Sequence, residues 1–283
     1  MKIVVTGALG HIGSRLIREL PAMFPEAEMV MLDNLLTQRY CSLFNLPASG
    51  QYRFLEDDVL TADLPSIFDG ATAVVHLAAI TDAANSFQIK EEVEQVNFNG
   101  TERVAQACRQ VDCALVFPST TSVYGSQAEE VDEDCPFSDL KPQSPYAEAK
   151  LKAERLLQNL GEEKDLKFVI CRLGTIFGTS IGMRFHTAVN KFCWQAVMGQ
   201  PLTVWKTALH QNRPYLDLGD AVDGDDAERV HSTQSTTTRA SAAASSADFM
   251  IVGATTQRTP SASTSATRSR SASSMTRVAA SGA

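Results

Sequence analysis

Tyr146 and Lys150 stand four residues apart in SPYAEAKLKAERLL, a run with helical spacing that opens on a proline. On a helix the two share a face, which lets the ammonium reach the phenol or a bound ribose. Pro145 favours a helix start and so puts Tyr146 in the first turn. A free phenol titrates at about 10, and a neighbouring cation draws it toward the range of a general base. The spacing by itself also arises by chance, with the tyrosine capping a core. A second cluster gives the pair its weight. The apolar run CALVF ends in PSTTSVYG, so Ser119, Thr120, Thr121 and Ser122 crowd one strand end. A hydroxyl there can hold a substrate oxygen whose proton Tyr146 takes.

A third cluster suits an anion. Gly7, Gly10 and Gly13 form G-x-x-G-x-x-G between an apolar run, KIVVT, and a helical pattern, SRLIREL. A tight turn there exposes backbone N–H groups, and the helix N-terminus that follows favours a pyrophosphate. Asp33 ends the next apolar run, 20 residues past Gly13. Its carboxylate can accept hydrogen bonds from both ribose hydroxyls of an adenosine and repels a 2′-phosphate, which favours NAD over NADP. Arg39 is near enough in sequence for its loop to bring it to the same place. Asp58 either meets the adenine amino group or caps a turn in EDDV, and the residues leave both open.

These clusters need a scaffold that gathers strand ends. Short buried-strand patterns occur at Lys2–Gly7, Glu28–Asp33, Tyr52–Asp58 and Thr72–Ala79, then in CALVFPS and KFVICRL. Helical patterns lie between them. SRLIREL is ended by Pro21 and Pro25. EEVEQVNFNGTERVAQACRQ carries Val93, Val96, Val104 and Cys108 at helical spacing, with Gly100 lowering the local propensity. SPYAEAKLKAERLLQNL is the next. The alternation describes βαβ units and an α/β, doubly wound parallel sheet, whose ligands bind beyond the carboxyl ends of the strands. GMRFHTAVNKFCWQAVMGQPLTVW reads as a further helix and a strand, with Phe185, Val189, Phe192, Cys193 and Val197 at helical spacing. His186 there reads as packing or solvent-facing ahead of ligand contact.

The 283 residues carry a net charge of -8, which argues against nucleic acid or an anionic membrane as partner. Six cysteines without a C-x-x-C pair favour reduced, buried thiols over a disulfide framework or a metal site. No apolar run approaches a membrane span and no signal-peptide core is present, so the expected location is cytoplasmic.

Over residues 1–222 this combination of motifs resembles the extended short-chain dehydrogenase/reductase family of nucleotide-sugar epimerases and dehydratases. The resemblance implies a Rossmann-like domain over residues 1–172 and the beginning of a substrate-binding region over residues 173–222. It implies NAD as cofactor, a nucleotide-sugar substrate and a homodimer. TGALGHIG would hold the pyrophosphate with Gly7, Gly10, His11, Ile12 and Gly13. Asp33 and Asn34 of DNLLT, and Asp58 and Val59 of DDV, would meet the adenosine. Leu77, Ala78 and Ala79 of HLAA would wall the nicotinamide side, and Asn97 of VNFNGT would steady the nearby strand turn. In STTSVYG the catalytic hydroxyl falls on Thr120, with Ser119 toward the cofactor and Thr121 toward the substrate. Tyr146 is the implied base, and Lys150 the implied ribose ligand that lowers its pKa. Thr81, Thr175 and the Arg213 of RPYLDLGDA complete the implied substrate contacts, with Asp220 structural.

Departures from the family patterns narrow the reaction. Sugar 4,6-dehydratases carry Asp-Glu after the catalytic Thr, whereas this chain has Thr121 and Ser122, and the Glu of uronic-acid decarboxylases is missing as well. The implied activity is therefore 4-epimerisation through a transient 4-keto sugar. The alternatives are a dehydrogenase or reductase that releases its product, or a catalytically impaired nucleotide-binding protein. Thr175 also replaces the usual Asn. Beyond Val222 the pattern changes abruptly: 36 of the 61 residues at 223–283 are Ser, Thr or Ala. Composition points to disorder. A shifted reading frame accounts for both the abruptness and the bias, with a native tail and a replaced lobe as alternatives.

Overall fold

In Lys2–Thr6 successive side chains point to opposite faces of a strand, and both faces are apolar. Ile3 and Val5 pack with Leu16, Ile17 and Leu20 on one side, while Val4 packs with Val104 and Leu157 on the other. A strand buried on both faces belongs in the middle of a covered parallel sheet, and the computed structural model, which describes residues 1–125, 135–204 and 213–222, places it there. Six parallel strands, β1 (Lys2–Thr6), β2 (Glu28–Asp33), β3 (Gln51–Glu56), β4 (Ala73–His76), β5 (Ala114–Thr120) and β6 (Phe168–Leu173), lie in the order β3-β2-β1-β4-β5-β6. This is the Rossmann-like, doubly wound order, with its switch point between β1 and β4.

One face carries α1 (His11–Met23). The other carries α2 (Leu64–Phe68), α3 (Lys90–Glu94), α4 (Gly100–Gln110) and α5 (Pro145–Lys164). A π-helical segment, Gln95–Asn99, joins α3 to α4. Beyond β6 come β7 (Thr175–Phe177), α6 (Ala188–Val197), β8 (Tyr215–Asp217) and α7 (Leu218–Val222). The β7–β8 pair is parallel, and α7 returns Leu218 and Val222 to the core under α1. No described helix is long and apolar enough to cross a membrane.

Several expected boundaries move. Helix α1 runs through Pro21 to Met23, because a proline so near the end removes little of the ladder and the Phe24 N–H still reaches the Leu20 carbonyl at 2.8 Å. Strand β3 stops at Glu56 and β4 at His76, which leaves Asp58 and Leu77–Ala79 in loops. There the Ala78 N–H turns to the Thr6 hydroxyl (3.3 Å) instead of a neighbouring strand. Of the six thiols, Cys108, Cys113 and Cys171 are buried, while Cys41 and Cys193 are exposed. Residues 201–204 form no strand; the rest of that expected strand, and the segment 223–283, lie outside the described residues.

Candidate active site

The glycine turn is set by sterics. Gly7 has φ +66°, and a Cβ on it would lie 2.6 Å from the Ala78 nitrogen; one on Gly13 would lie 2.6 Å from the Gly7 carbonyl oxygen. Both positions therefore exclude a side chain. Helix α1 then starts on Gly10 with no side-chain cap and no acidic residue in its first turn, so its N-terminus is left to an external anion. Asp33 buttresses this turn from β2, its Oδ2 accepting from the Leu9 N–H and its Oδ1 from the Leu35 N–H, both at 3.0 Å. Arg39 comes round beside Asp33, whose charge acts on the guanidinium. Asp58 caps its own turn, accepting from the Leu60 N–H and from Asn34 Nδ2, each at 2.8 Å.

Across the switch point, β5 delivers the hydroxyls and α5 the base. Ser144 accepts from the Ala147 N–H at 3.2 Å, Pro145 occupies the first turn, and Tyr146 follows within that turn. The Tyr146 phenol is hydrogen-bonded to Thr120, and the Thr120 Oγ1 also accepts from the Ser122 N–H at 3.1 Å. Lys150, one turn further along α5, is buried, lies 4.3 Å from the centre of the Phe117 ring and donates to the Pro118 carbonyl at 2.8 Å. Burial brings its pKa from 10.5 down to about 7, against the opposing pull of Glu154. Burial raises the Tyr146 phenol, while Arg184 and the Thr120 hydrogen bond draw it down. A cation that acts on the phenol is thus Arg184, while the Lys150 ammonium is directed at a carbonyl.

These parts face one cavity of about 330 Å³. It is lined by Gly7, Gly10, His11, Ile12 and Gly13 from the turn, and by Leu77, Ala79 and Thr81 after β4. Ser119 to Ser122, Tyr146, Lys150, Thr175 and Arg213 complete the expected set. Asp33, Asn34, Asp58, Val59, Ala78 and Asn97 are not in the lining. Asn97 instead clamps the loop after β4, donating to the Ile80 carbonyl and accepting its N–H, both at 2.8 Å. A separate hollow at the β3 edge, bordered by Glu56, Asp57, Asp63 and Ser66, shares no residue with this cavity.

Charge in the cavity is one-sided among the described residues: Arg39, Lys150, Arg184 and Arg213 line it and no described carboxylate does. Arg184 had no signal in the sequence. It reaches the site from the segment between β7 and α6, donating to the Thr81 carbonyl (3.3 Å) and to His186 Nε2 (2.7 Å), while its buried Nε has no hydrogen-bond partner among the described residues. The same segment rests on the glycine turn: Ser180 Oγ meets His11 Nδ1, and the Gly182 N–H reaches Ser14 Oγ, both at 2.9 Å. His11 is held neutral, its pKa lowered to about 4 by burial and by Arg184, Arg39 and His186.

The cavity thus offers anion-binding backbone at one end and a phenol with a hydroxyl partner at the other. Comparison with known proteins gives this arrangement a context. The model of the NAD dependent epimerase/dehydratase family matches residues 3–227. A Bacillus subtilis protein described as an uncharacterized UDP-glucose epimerase is 31% identical over 79% of this chain and 71% of its own length. An Arabidopsis thaliana trifunctional UDP-glucose 4,6-dehydratase/UDP-4-keto-6-deoxy-D-glucose 3,5-epimerase/UDP-4-keto-L-rhamnose-reductase is 31% identical over 71% of this chain, which spans 31% of that larger protein. Among solved structures, a Bacillus cereus UDP-glucuronic acid 4-epimerase in complex with UDP-glucuronic acid and NAD aligns with a TM-score of 0.70 and 28% identity, over 81% of this chain and 73% of the other.

Proposed function

The chain belongs to the NAD-dependent epimerase/dehydratase family, and from that premise we propose that it epimerises a nucleotide-diphosphate sugar at C4, with NAD as cofactor. The observation that carries the reading is the meeting of Thr120, Tyr146 and Lys150 with the glycine turn in one cationic cavity, where Thr121 and Ser122 occupy the positions of a dehydratase's acid and base. The uncapped N-terminus of α1, with glycines at Gly7, Gly10 and Gly13, fits the pyrophosphate of NAD, and Asp33 fits its adenosine ribose. Asn34, Asp58 and Val59 are assigned to the adenine side. When bound, NAD supplies the acceptor, and then the donor, of the hydride at the sugar's C4.

The protein's own residues handle the proton. Tyr146 takes it from the C4 hydroxyl and later returns it, and Thr120 fixes the oxygen between the two steps. Lys150 leaves the Pro118 carbonyl to bind the nicotinamide ribose. Arg213 takes the substrate diphosphate. Thr81, Thr121 and Thr175 border the sugar. Arg184 favours the phenolate and stands ready for an anionic group near the reacting carbon, so the first substrates to test are UDP-glucose and UDP-glucuronic acid. By family resemblance we assign residues 1–172 to the cofactor domain, residues 173–222 to the start of the substrate region, and the protein to the cytoplasm as a homodimer.

The full chain incubated with NAD and each sugar, followed by NMR of the C4 proton, should interconvert the C4 epimers with no net NADH. Stoichiometric NADH would make it a dehydrogenase. A 4-keto-6-deoxy product would make it a dehydratase, and no turnover with bound cofactor would mark the impaired nucleotide-binding alternative.

A further inference from the structure

Glu154 has no part in the chemistry assigned above, yet it is fully buried directly behind it. It stands one turn beyond Lys150 on α5, as Lys150 stands one turn beyond Tyr146. Its carboxylate reaches into the sheet at one register pair, Ser119 of β5 opposite Arg172 of β6. Ser119 Oγ donates to Glu154 Oε1. Arg172 donates through Nε at 3.2 Å to each carboxylate oxygen and through Nη2 at 2.7 Å to Oε2. The remaining Arg172 arm donates to the Tyr124 hydroxyl at 3.1 Å. A buried pair with this many donors is satisfied, and breaking one side of it leaves an uncompensated charge.

Its placement decides what the pair does. Ser119 lies between Pro118, whose carbonyl receives the Lys150 ammonium, and Thr120, whose hydroxyl holds Tyr146. We propose that Glu154 is a positioning residue, which clamps the ends of β5 and β6 so that the Thr120 hydroxyl and the Lys150 ammonium are held together and the ammonium keeps its charge. The ionisable groups that act with that ammonium are His76 from β4 and Glu154 from α5, and Glu154 is in turn paired with Arg172 from β6, which donates to Tyr124. His76 is neutral and Arg172 is positive, so the carboxylate of Glu154 is what offsets Arg172 and supports a charge on Lys150.

The inference rests on the reading of Lys150 as a cofactor ligand, and NAD binding without any sugar tests it. The NAD dissociation constant of the full chain, measured by calorimetry from pH 5.5 to 9, should rise as the pH passes about 7, where Lys150 loses its proton. In Lys150→Ala that rise should vanish. In Glu154→Gln it should move down by about one pH unit, which is about a fivefold weaker NAD affinity at pH 7, and Glu154→Asp should restore most of the shift. The double variant Glu154→Met with Arg172→Met leaves no unpaired buried charge, so it folds even if Glu154→Gln does not. It should bind NAD about tenfold more weakly because the clamp is gone. A wild-type profile in folded Glu154→Gln, wild-type affinity in the double variant, or a persistent rise in Lys150→Ala overturns the inference. These curves need no turnover, so a failure of the epimerase reading leaves them decisive.

Discussion

At Tyr146 burial and charge pull in opposite directions. Desolvation disfavours the phenolate, while Arg184 and the Thr120 hydrogen bond favour it. The base is therefore tuned by a residue 38 positions away in the chain. Removing the guanidinium charge raises the phenol's pKa, so the acid limb of kcat moves to higher pH. Arg184→Gln keeps a donor for the Thr81 carbonyl and should move that limb up by about one unit, with kcat at pH 7 falling about tenfold. An unchanged limb in the pH–rate profile would show that Arg184 does not act on the base. Tyr146→Phe should lower kcat by about 10²- to 10⁴-fold with NAD affinity kept, measured as steady-state turnover beside direct binding. Tyr146, Lys150 and Thr120 were legible because each sits in a local pattern whose spacing carries its meaning. Arg184 was not, because no period or motif ties position 184 to position 146; only the path of the chain over the glycine turn does.

At the scale of elements, strand positions were readable from apolar runs, and the doubly wound parallel sheet from their alternation with helices. The strand ends were not, because they depend on side chains reaching from other elements. The π-helical segment Gln95–Asn99 shows why. Its sequence has ordinary helical spacing, and Gly100 was expected only to weaken the helix. What accompanies the wider turn is Asn97, buried and spent on both backbone groups of Ile80. Asn97→Ala leaves that N–H and carbonyl without partners, a cost of about 1–3 kcal/mol for each buried group. The loop 77–81 should then exchange its amide protons faster, as read by mass spectrometry, and NAD should bind more weakly. Equal protection at Ile80 in the variant would mean that the segment holds without the clamp. Helix α6 fails differently. Its apolar spacing was read correctly, yet Val197 is 85% exposed and Cys193 is exposed too, while Asn190 and Gln195 are buried. Periodicity reports which face is apolar and is silent on what covers it.

Across the whole molecule His11, His76 and Lys150 share one direction of shift, and that shapes how stability responds to acid. His76 joins β1 to the helix behind β4. The Thr6 hydroxyl, already accepting from the Ala78 N–H, donates to His76 Nδ1 at 2.8 Å. Thr101 donates to the Asn97 carbonyl and so accepts from His76 Nε2 at 3.2 Å. The ring is thereby assigned as the neutral Nε2–H tautomer, and its pKa is lowered from 6.5 to about 3 by burial and by Lys150. His11 is lowered to about 4. For both, the unfolded chain takes up a proton below pH 6.5 that the folded chain refuses, so stability is present above pH 6.5 and is lost as the pH falls toward 3. Lys150 extends the same slope, because a folded value of about 7 against 10.5 makes stability rise further with pH between them. Cys171, pushed up to about 12, works the other way above its ordinary 9.0, where only the unfolded chain releases the proton. The melting temperature should therefore climb from pH 4 to about 9 and flatten above it, where the two slopes oppose each other. His76→Gln can still accept from Thr6 and donate to Thr101, but it cannot take up the proton. It should melt lower than the parent at pH 7, having lost the ring stacked on Phe117, and its melting temperature should fall less steeply below pH 6.5, so that the two curves converge in acid. Parallel melting curves across that range would place the acid-sensitive groups elsewhere in the fold.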